Sequence, residues 1–322
     1  MSKNRKDIKL TVFEAFAGYG GASFGLKKSK IPHKVIGFSE FDKYASAIFE
    51  LNHPGIKNYG DITLINPEDL PSFNLFTGGF PCQPFSSAGL GKGELDIRGT
   101  LFYDVIRICE AKKPTFILLE NVKGLTTKRH KETFEKILSE LKRIGYTVHW
   151  KVLNSKDFGV PQNRERLWIF GYKGDLPENF NIEPEKKELK GRFKDFLDKN
   201  PDESLYLNQG QIERLIEKHQ VNFDVNESLC LDIYNKKIRH DGISITITEP
   251  HHNSLRVVEK PRNGKYVVRK LSKEEHFRLM GFDDGEFNFG DFSYQQICKR
   301  AGNGWDINVV SILISHLIKQ IQ

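Results

Sequence analysis

The sequence predicts an α/β fold, with one open sheet of alternating strands and helices and a second, smaller, β-leaning domain. Three observations predict it. Residues 10–28 read as strand, glycine turn and helix, the opening of a nucleotide-binding βαβ unit. Two apolar runs, 75–79 and 115–119, read as buried strands that each stop at a chemically loaded stretch. After Gly174 the chain turns polar, with Lys, Glu, Asp and Asn dominating 175–205 and Pro177, Pro184 and Pro201 interrupting it.

Length and composition bound the rest. A chain of 322 residues has room for one large domain and one small one. The most apolar stretch, 307–321, is broken by Asn308, Ser311, Ser315, His316, Lys319 and Gln320 and reads as an amphipathic helix, not a membrane span. The amino terminus is charged with no apolar run behind it, which argues against a secretory signal and for a cytoplasmic protein. The four cysteines, Cys82, Cys109, Cys230 and Cys298, show no paired C-x-x-C spacing, so neither a zinc site nor a disulfide framework is expected. A formal charge of +7 permits a polyanionic partner without requiring one.

In chain order, the first strand (10–16) runs into Ala17-Gly18-Tyr19-Gly20-Gly21 and a helix from 22. Glycines there let the backbone approach a ligand, although Ser23 stands where a dinucleotide fingerprint would have its third glycine. A second strand (34–39) ends in Glu40, whose carboxylate suits a ribose diol, with Phe41 beside it able to pack on an adenine ring. Asp42 caps a helix over 42–51. Gly60-Asp61-Ile62 reads as another strand end, with an acid that could accept from the adenine amino group. Together these suggest an adenosine ligand.

The run 75–79 leads into Phe80-Pro81-Cys82-Gln83-Pro84-Phe85-Ser86, a thiol at the carboxyl edge of a strand. Alone, Cys82 reads more readily as a small buried hydrophobe than as a nucleophile. The glycine-rich segment 87–99 reads as a loop beside it, and 100–111 as a helix with Leu101, Phe102, Val105, Ile106 and Cys109 on one face. The strand 115–119 ends in Glu120, a second chemical group on the same edge. A helix (134–144) and a strand (147–153) follow. Arg164 and Arg166, two apart at the start of the strand 167–170, point to one face and suit a carboxylate or phosphate. The later region holds a short helix (208–218), strands over 238–248, 256–258 and 265–268, and a capping box, Ser272 to Glu275, opening a helix that ends near Gly281.

The ordered set Phe16-Ala17-Gly18-Tyr19-Gly20-Gly21, Pro81-Cys82-Gln83, Glu120-Asn121-Val122, Gln162-x-Arg164-x-Arg166 and Gly302-Asn303 resembles the DNA (cytosine-5)-methyltransferases of bacterial type. The likeness covers about residues 10–174 and 240–320. It implies a Rossmann-like methyltransferase sheet with a smaller, β-leaning target-recognition domain. The corresponding boundaries are 1–175 for catalysis and cofactor binding, 176–270 for target recognition, and 271–322 for a hinge and a carboxyl-terminal helix returning to the first domain. The implied cofactor is S-adenosyl-L-methionine, with no metal. Carried over by position, Phe16, Gly18, Tyr19, Gly21, Glu40, Phe41, Asp61, Ile62, Gly79, Pro81, Leu101 and Asn303 would hold it. Cys82 would be the nucleophile, Glu120 would hold the target base, Arg166 would contact it, and Arg164 would help position the Cys82 site. Gln83, Ser86, Ser87 and Arg98 would meet DNA, and Arg239, Thr246 and Thr248 are the candidate DNA contacts of the recognition domain.

The implied partner is double-stranded DNA, with the cytosine flipped out, the chain a monomer away from membranes. The setting would be a restriction-modification system, with a cognate endonuclease encoded nearby, or an orphan methylase, bacterial or phage-encoded. Asn74 and Gly304-Trp305-Asp306 depart from the residues commoner in the family. Three alternatives stand beside this reading: the tRNA-methylating branch, whose Cys-Phe-Thr motif is missing here; a nicotinamide oxidoreductase built on the glycine turn and Glu40; and an inactive DNA-binding protein.

Overall fold

The structure is a computed structural model that describes residues 8–81, 101–220 and 223–321. The chain divides into two units. The first comprises the residues through Leu153, then Glu165–Glu185, and the chain from Val310 onward; the second comprises Asn154–Arg164 and Lys186–Val309.

In the first unit β1 (Leu10–Ala15), α1 (Gly21–Ser29), β2 (His33–Ser39) and α2 (Lys43–Asn52) form the expected βαβα opening. They are followed by β3 (Leu75–Gly79), α3 (Leu101–Lys112), β4 (Phe116–Val122), α4 (Lys131–Arg143), β5 (Thr147–Asn154) and β6 (Glu165–Tyr172). The six strands lie in the order β2-β1-β3-β4-β6-β5. The pairs β1·β2, β1·β3 and β3·β4 are parallel, whereas β4·β6 is antiparallel. From β1 the chain winds first to one side and then to the other, so β1 and β3 flank a topological switch point, where open sheets bind ligands beyond the strand carboxyl ends. The four central residues Phe116, Ile117, Leu118 and Leu119 are all buried, as their unbroken apolar run requires.

The main core packs Phe13, Phe73, Phe76, Ile117, Ile137 and Leu141 together. Cys109 lies fully inside it, on the inner face of α3, and burial pushes its thiol well up. The last helix, α8 (Ile307–Ile321), is continuous, and from Val310 its residues belong to the first unit. There Val310 packs against Gly25 of α1 so closely that a Cβ on Gly25 would collide with the Val310 side chain. Among the described residues no helix is long and apolar enough to cross a membrane.

The second unit carries α5 (Gln209–His219) and an antiparallel sheet in the order β10-β9-β7-β8. Its strands are β7 (Leu229–Asp232), β8 (Lys237–Arg239), β9 (Leu255–Arg262) and β10 (Lys265–Arg269). Ile212, Leu231, Val258 and Val268 fill the space between helix and sheet. Next come α6 (Lys273–Arg278) and α7 (Tyr294–Asn303). The expected capping box forms: Ser272 Oγ accepts from Glu275 N, and Glu275 Oε2 accepts from Ser272 N. The same Glu275, fully buried, pairs with Arg269 NH1 and NH2 at 2.8 Å each, and Arg269 Nε reaches Glu259.

Two elements differ from the sequence reading. Residues 238–248 do not form one strand. Asp241 Oδ1 accepts from Ile243 N and Gly242 takes φ +75°, so the chain turns after β8 and Ser244 bridges to Gln162 instead. Residues 60–62 are not a strand end either: Asp61 caps a 3-10 turn, Ile62–Leu64.

The α1–α8 contact yields a stability prediction. Gly25→Ala should destabilise the chain by about 1–3 kcal/mol, because the added methyl must displace Val310. Urea unfolding measures this, and an unchanged or raised midpoint would contradict the packing.

Candidate active site

The carboxyl ends of β1, β2, β3 and β4 line one edge of the first unit's sheet. Parallel register brings Ala15 beside Gly78 and Gly79 beside Glu120. The glycine turn follows β1. Phe16 takes φ +52° and Gly18 +56°, left-handed values that are costly for a phenylalanine and typical of ligand-binding turns. Glu40, at the end of β2, ties this turn down: its Oε2 accepts from Gly18 N and its Oε1 from Asp42 N, both at 2.9 Å. Asn58 holds the Glu40 backbone through both its amide nitrogen and its amide oxygen. Each Glu40 oxygen keeps a further lone pair for a ligand hydroxyl.

Phe41 is 77% exposed, a large apolar ring beside an orientated carboxylate. That combination suits a nucleoside, whose base an exposed ring can stack on and whose sugar a carboxylate can bind. Asp61 spends Oδ1 on Thr63 N and Thr63 Oγ1. Ile62 is buried beneath it, and Leu101 packs against the main core as the first residue of α3. Tyr19 is 1% exposed, its ring beside Phe24, so only its backbone can meet a ligand.

Two groups at this turn were not singled out by sequence reasoning. Glu14, on β1, accepts from Ala22 N, Ser23 N and Ser23 Oγ. Burial pushes its carboxyl up to about 7 against the lowering effect of those bonds. The amino end of α1 is therefore satisfied by the chain's own acid, and that helix end is not vacant for a phosphate. The signal was available: an acid inside an otherwise apolar strand, facing the first turn of a helix. His53, which follows α2, lies between Phe24 and Phe49 and backs Gly20 so closely that a Cβ there would collide with its ring. Its Nε2 is buried without a partner, and burial holds its pKa down to about 4.

At the other end of the edge, Glu120 is 9% exposed and its Oε1 meets Arg166 Nε at 2.9 Å. Antiparallel pairing of β6 on β4 sets Arg166 opposite Val122, two residues past Glu120. Asn121 Nδ2 donates to Phe80 O, fixing the chain where β3 leaves the sheet toward Pro81. Cys82, Gln83, Ser86, Ser87 and Arg98 lie outside the described residues.

The second unit holds the other candidates. Arg164 is 2% exposed and donates to Ile247 O, Gly302 O and Gly304 O at 2.7–3.0 Å. Thr246 Oγ1 donates to Asn163 O, whereas Thr248 Oγ1 is buried without a partner. Arg239 pairs with Asp241, and Asn303 closes α7 as an exposed residue. The departures at Gly304 and Asp306 have local roles: Gly304 O receives Arg164, and Asp306 Oδ1 accepts from Asn308 N and Val309 N at the start of α8.

A family model described as C-5 cytosine-specific DNA methylase matches residues 10–319. The chain is 37% identical to the type II methyltransferase M.HaeII of Haemophilus aegyptius, over 96% of this chain and 92% of that protein. It is also 37% identical to the type II methyltransferase M.NgoBI of Neisseria gonorrhoeae, over 92% and 89%. Among solved structures, DNMT2 of Spodoptera frugiperda superposes with a TM-score of 0.77 at 19% identity, covering 96% of this chain and 99% of that one. The methyltransferase EhMeth of Entamoeba histolytica gives 0.71 at 20% identity, covering 98% and 99%. Those two are likenesses of fold.

His53 gives the turn a defined acid response. The folded state keeps its imidazole neutral down to about pH 4, whereas an unfolded histidine takes its proton near 6.5. Between those values the unfolded chain binds the extra proton, so stability falls as pH drops through that window. Denaturant unfolding at pH 7 and pH 5 should show a smaller loss for His53→Phe than for the wild type. Equal losses would contradict the assignment.

Proposed function

This chain belongs to the C-5 cytosine-specific DNA methylases, and from that premise we propose a mechanism for it: it flips a cytosine out of duplex DNA and methylates carbon-5 through a covalent bond to Cys82. It is a DNA (cytosine-5)-methyltransferase. The observation that carries the mechanism is the Glu120–Arg166 pair at the carboxyl end of β4, in register with Gly79, three residues before Cys82.

The cofactor in this reading is S-adenosyl-L-methionine, which supplies an electrophilic methyl group. The residues present fit it. Glu40 would take the ribose hydroxyls, Phe41 the adenine face and Asp61 the adenine amine, with Phe16, Gly18, Tyr19, Gly21, Ile62, Gly79, Pro81 and Leu101 around them and Asn303 added by resemblance. Glu14 occupies the helix end where a dinucleotide would seat its phosphates. That favours a phosphate-free adenosine cofactor over a nicotinamide dinucleotide.

Carbon-5 of cytosine is a weak nucleophile. Addition of the Cys82 thiolate to carbon-6 pushes electron density to carbon-5, which would then take the methyl group as its bond to the sulfonium breaks and S-adenosyl-L-homocysteine is released. Glu120 would hold ring nitrogen 3 and the exocyclic amine, stabilising the ring as charge develops. Arg166 fixes that carboxylate through Nε and would reach the base. A base then removes the carbon-5 proton, the carbon-5–carbon-6 double bond reforms, and Cys82 leaves as thiolate. The target carbon is unreachable within a stacked duplex, which is why the base must leave the helix. Gln83, Ser86, Ser87 and Arg98 would meet the DNA from the Cys82 side, and Arg239, Thr246 and Thr248 from the recognition side. The protein would act as a monomer, in a restriction-modification system or as an orphan methylase.

In a tritium-transfer assay, Cys82→Ser should lower turnover on duplex DNA by about 10³-fold or more while gel-shift binding persists. Full activity of this variant would overturn the covalent mechanism. Glu120→Gln should cost about 10²–10³-fold in turnover, with cofactor binding retained. Transfer to tRNA in preference to duplex DNA would favour the tRNA branch instead.

A further inference from the structure

The segment Thr246 to Glu249 is held by more polar contacts than a loop of its length needs. Gln162, fully buried, accepts from Ile247 N through Oε1 and donates to Leu279 O through Nε2. Arg164 NH1 donates to Ile247 O from the other side of the same residue. Both polar groups of Ile247 are thus gripped by buried side chains two residues apart. The backbone of the gripping stretch joins in: Asn163 N donates to Ser244 O, Ser244 N donates to Pro161 O, and Thr246 Oγ1 donates to Asn163 O. On the far side, Gly302 of α7 lies against Thr248 and Glu249, where a Cβ would collide with their backbone. Arg164 NH2 donates to Gly302 O, so one guanidinium ties the clamped segment to the helix that backs it.

This grip differs from ordinary loop packing in its economy. Two charged or amide side chains have been taken out of water, and their bonds converge on one residue whose neighbours, Thr246 and Thr248, are candidate DNA contacts. A group that reads sequence discriminates only if it cannot shift to suit a wrong base. We propose that Gln162 and Arg164 are positioning residues for target-sequence discrimination, clamping Ile247 so that the backbone of the Thr246–Thr248 segment is held in one geometry against the DNA. This rests on the methyltransferase reading above and adds to it the origin of sequence fidelity.

Bisulfite sequencing of DNA from a host without cytosine methylation, expressing the full chain, tests it. The wild type should protect one sharp motif. Arg164→Lys replaces a planar fork that reaches three carbonyls by a single ammonium. Gln162→Met keeps the length and loses both bonds. Each should raise methylation at sites one base away from the motif, relative to the motif itself, by about tenfold. In the purified proteins KM for the cognate duplex should rise more than kcat falls, and S-adenosylmethionine affinity should hold, which a merely unfolded chain would not allow. A motif that stays as sharp as in the wild type, with only total methylation reduced, would overturn the proposal. Loss of all methylation in both variants would overturn it too, since the clamp would then serve the fold or the chemistry. A wild-type chain that protects no cytosine would overturn the functional reading itself.

Discussion

Parallel register among β1, β3 and β4 is the constraint on which the site depends. Register pairs Ala15 with Gly78, and Gly79 with Glu120, so β1 and β3 end within one residue of each other and β4 runs two residues further. The strand order then reverses about β1, opening a crevice that hydrogen bonding within the sheet cannot fill. Candidate residues of the first unit gather on this edge: the glycine turn after β1, Glu40 after β2, Pro81 after β3 and Glu120 near the end of β4. A slip of one residue in β4 would turn Glu120 to the opposite face and lose its bond to Arg166.

Buried charge is managed the same way throughout. Glu14 receives three donors from the start of α1, Arg164 gives to three carbonyls, and Arg269 sits between Glu259 and Glu275. Arg164 ties together segments distant in sequence, while Glu14 and Arg269 join neighbouring elements; an unpaired charge at those depths would cost several kcal/mol (on the order of 3–5). These groups do not build the core, which the aromatic and aliphatic cluster around Phe13 and Ile117 supplies. Each fixes a turn or loop within its own unit.

The βαβα opening, the buried run of β4, the Ser272 capping box and the inner face of α3 were legible because hydrophobic period and cap chemistry are local signals. The adenosine-binding reading of Glu40 and Phe41 rested on residue type at a strand end; in the structure Glu40 holds the glycine turn and Phe41 is exposed beside it. Other features were not legible. The antiparallel course of β6 depends on long-range pairing. The break after β8 came from Asp241 and Gly242 overriding an alternating pattern. Arg164 and Arg166 share a strand-start spacing, yet one grips carbonyls of the second unit while the other pairs with Glu120. Spacing assigns a face; it does not assign a partner.

The central claim is that Cys82 bonds carbon-6 of the target cytosine while Glu120 holds the ring. The most direct measurement is mass spectrometry of the chain incubated with S-adenosylmethionine and a cognate duplex bearing 5-fluorocytosine at the target position. Fluorine replaces the carbon-5 hydrogen and cannot be removed as a proton, so the final elimination is blocked and the adduct persists. The account predicts a stable protein–DNA conjugate whose cross-linked peptide contains Cys82, absent from Cys82→Ser. Methylation of the unmodified duplex with no such conjugate, or a conjugate at another residue, would contradict it.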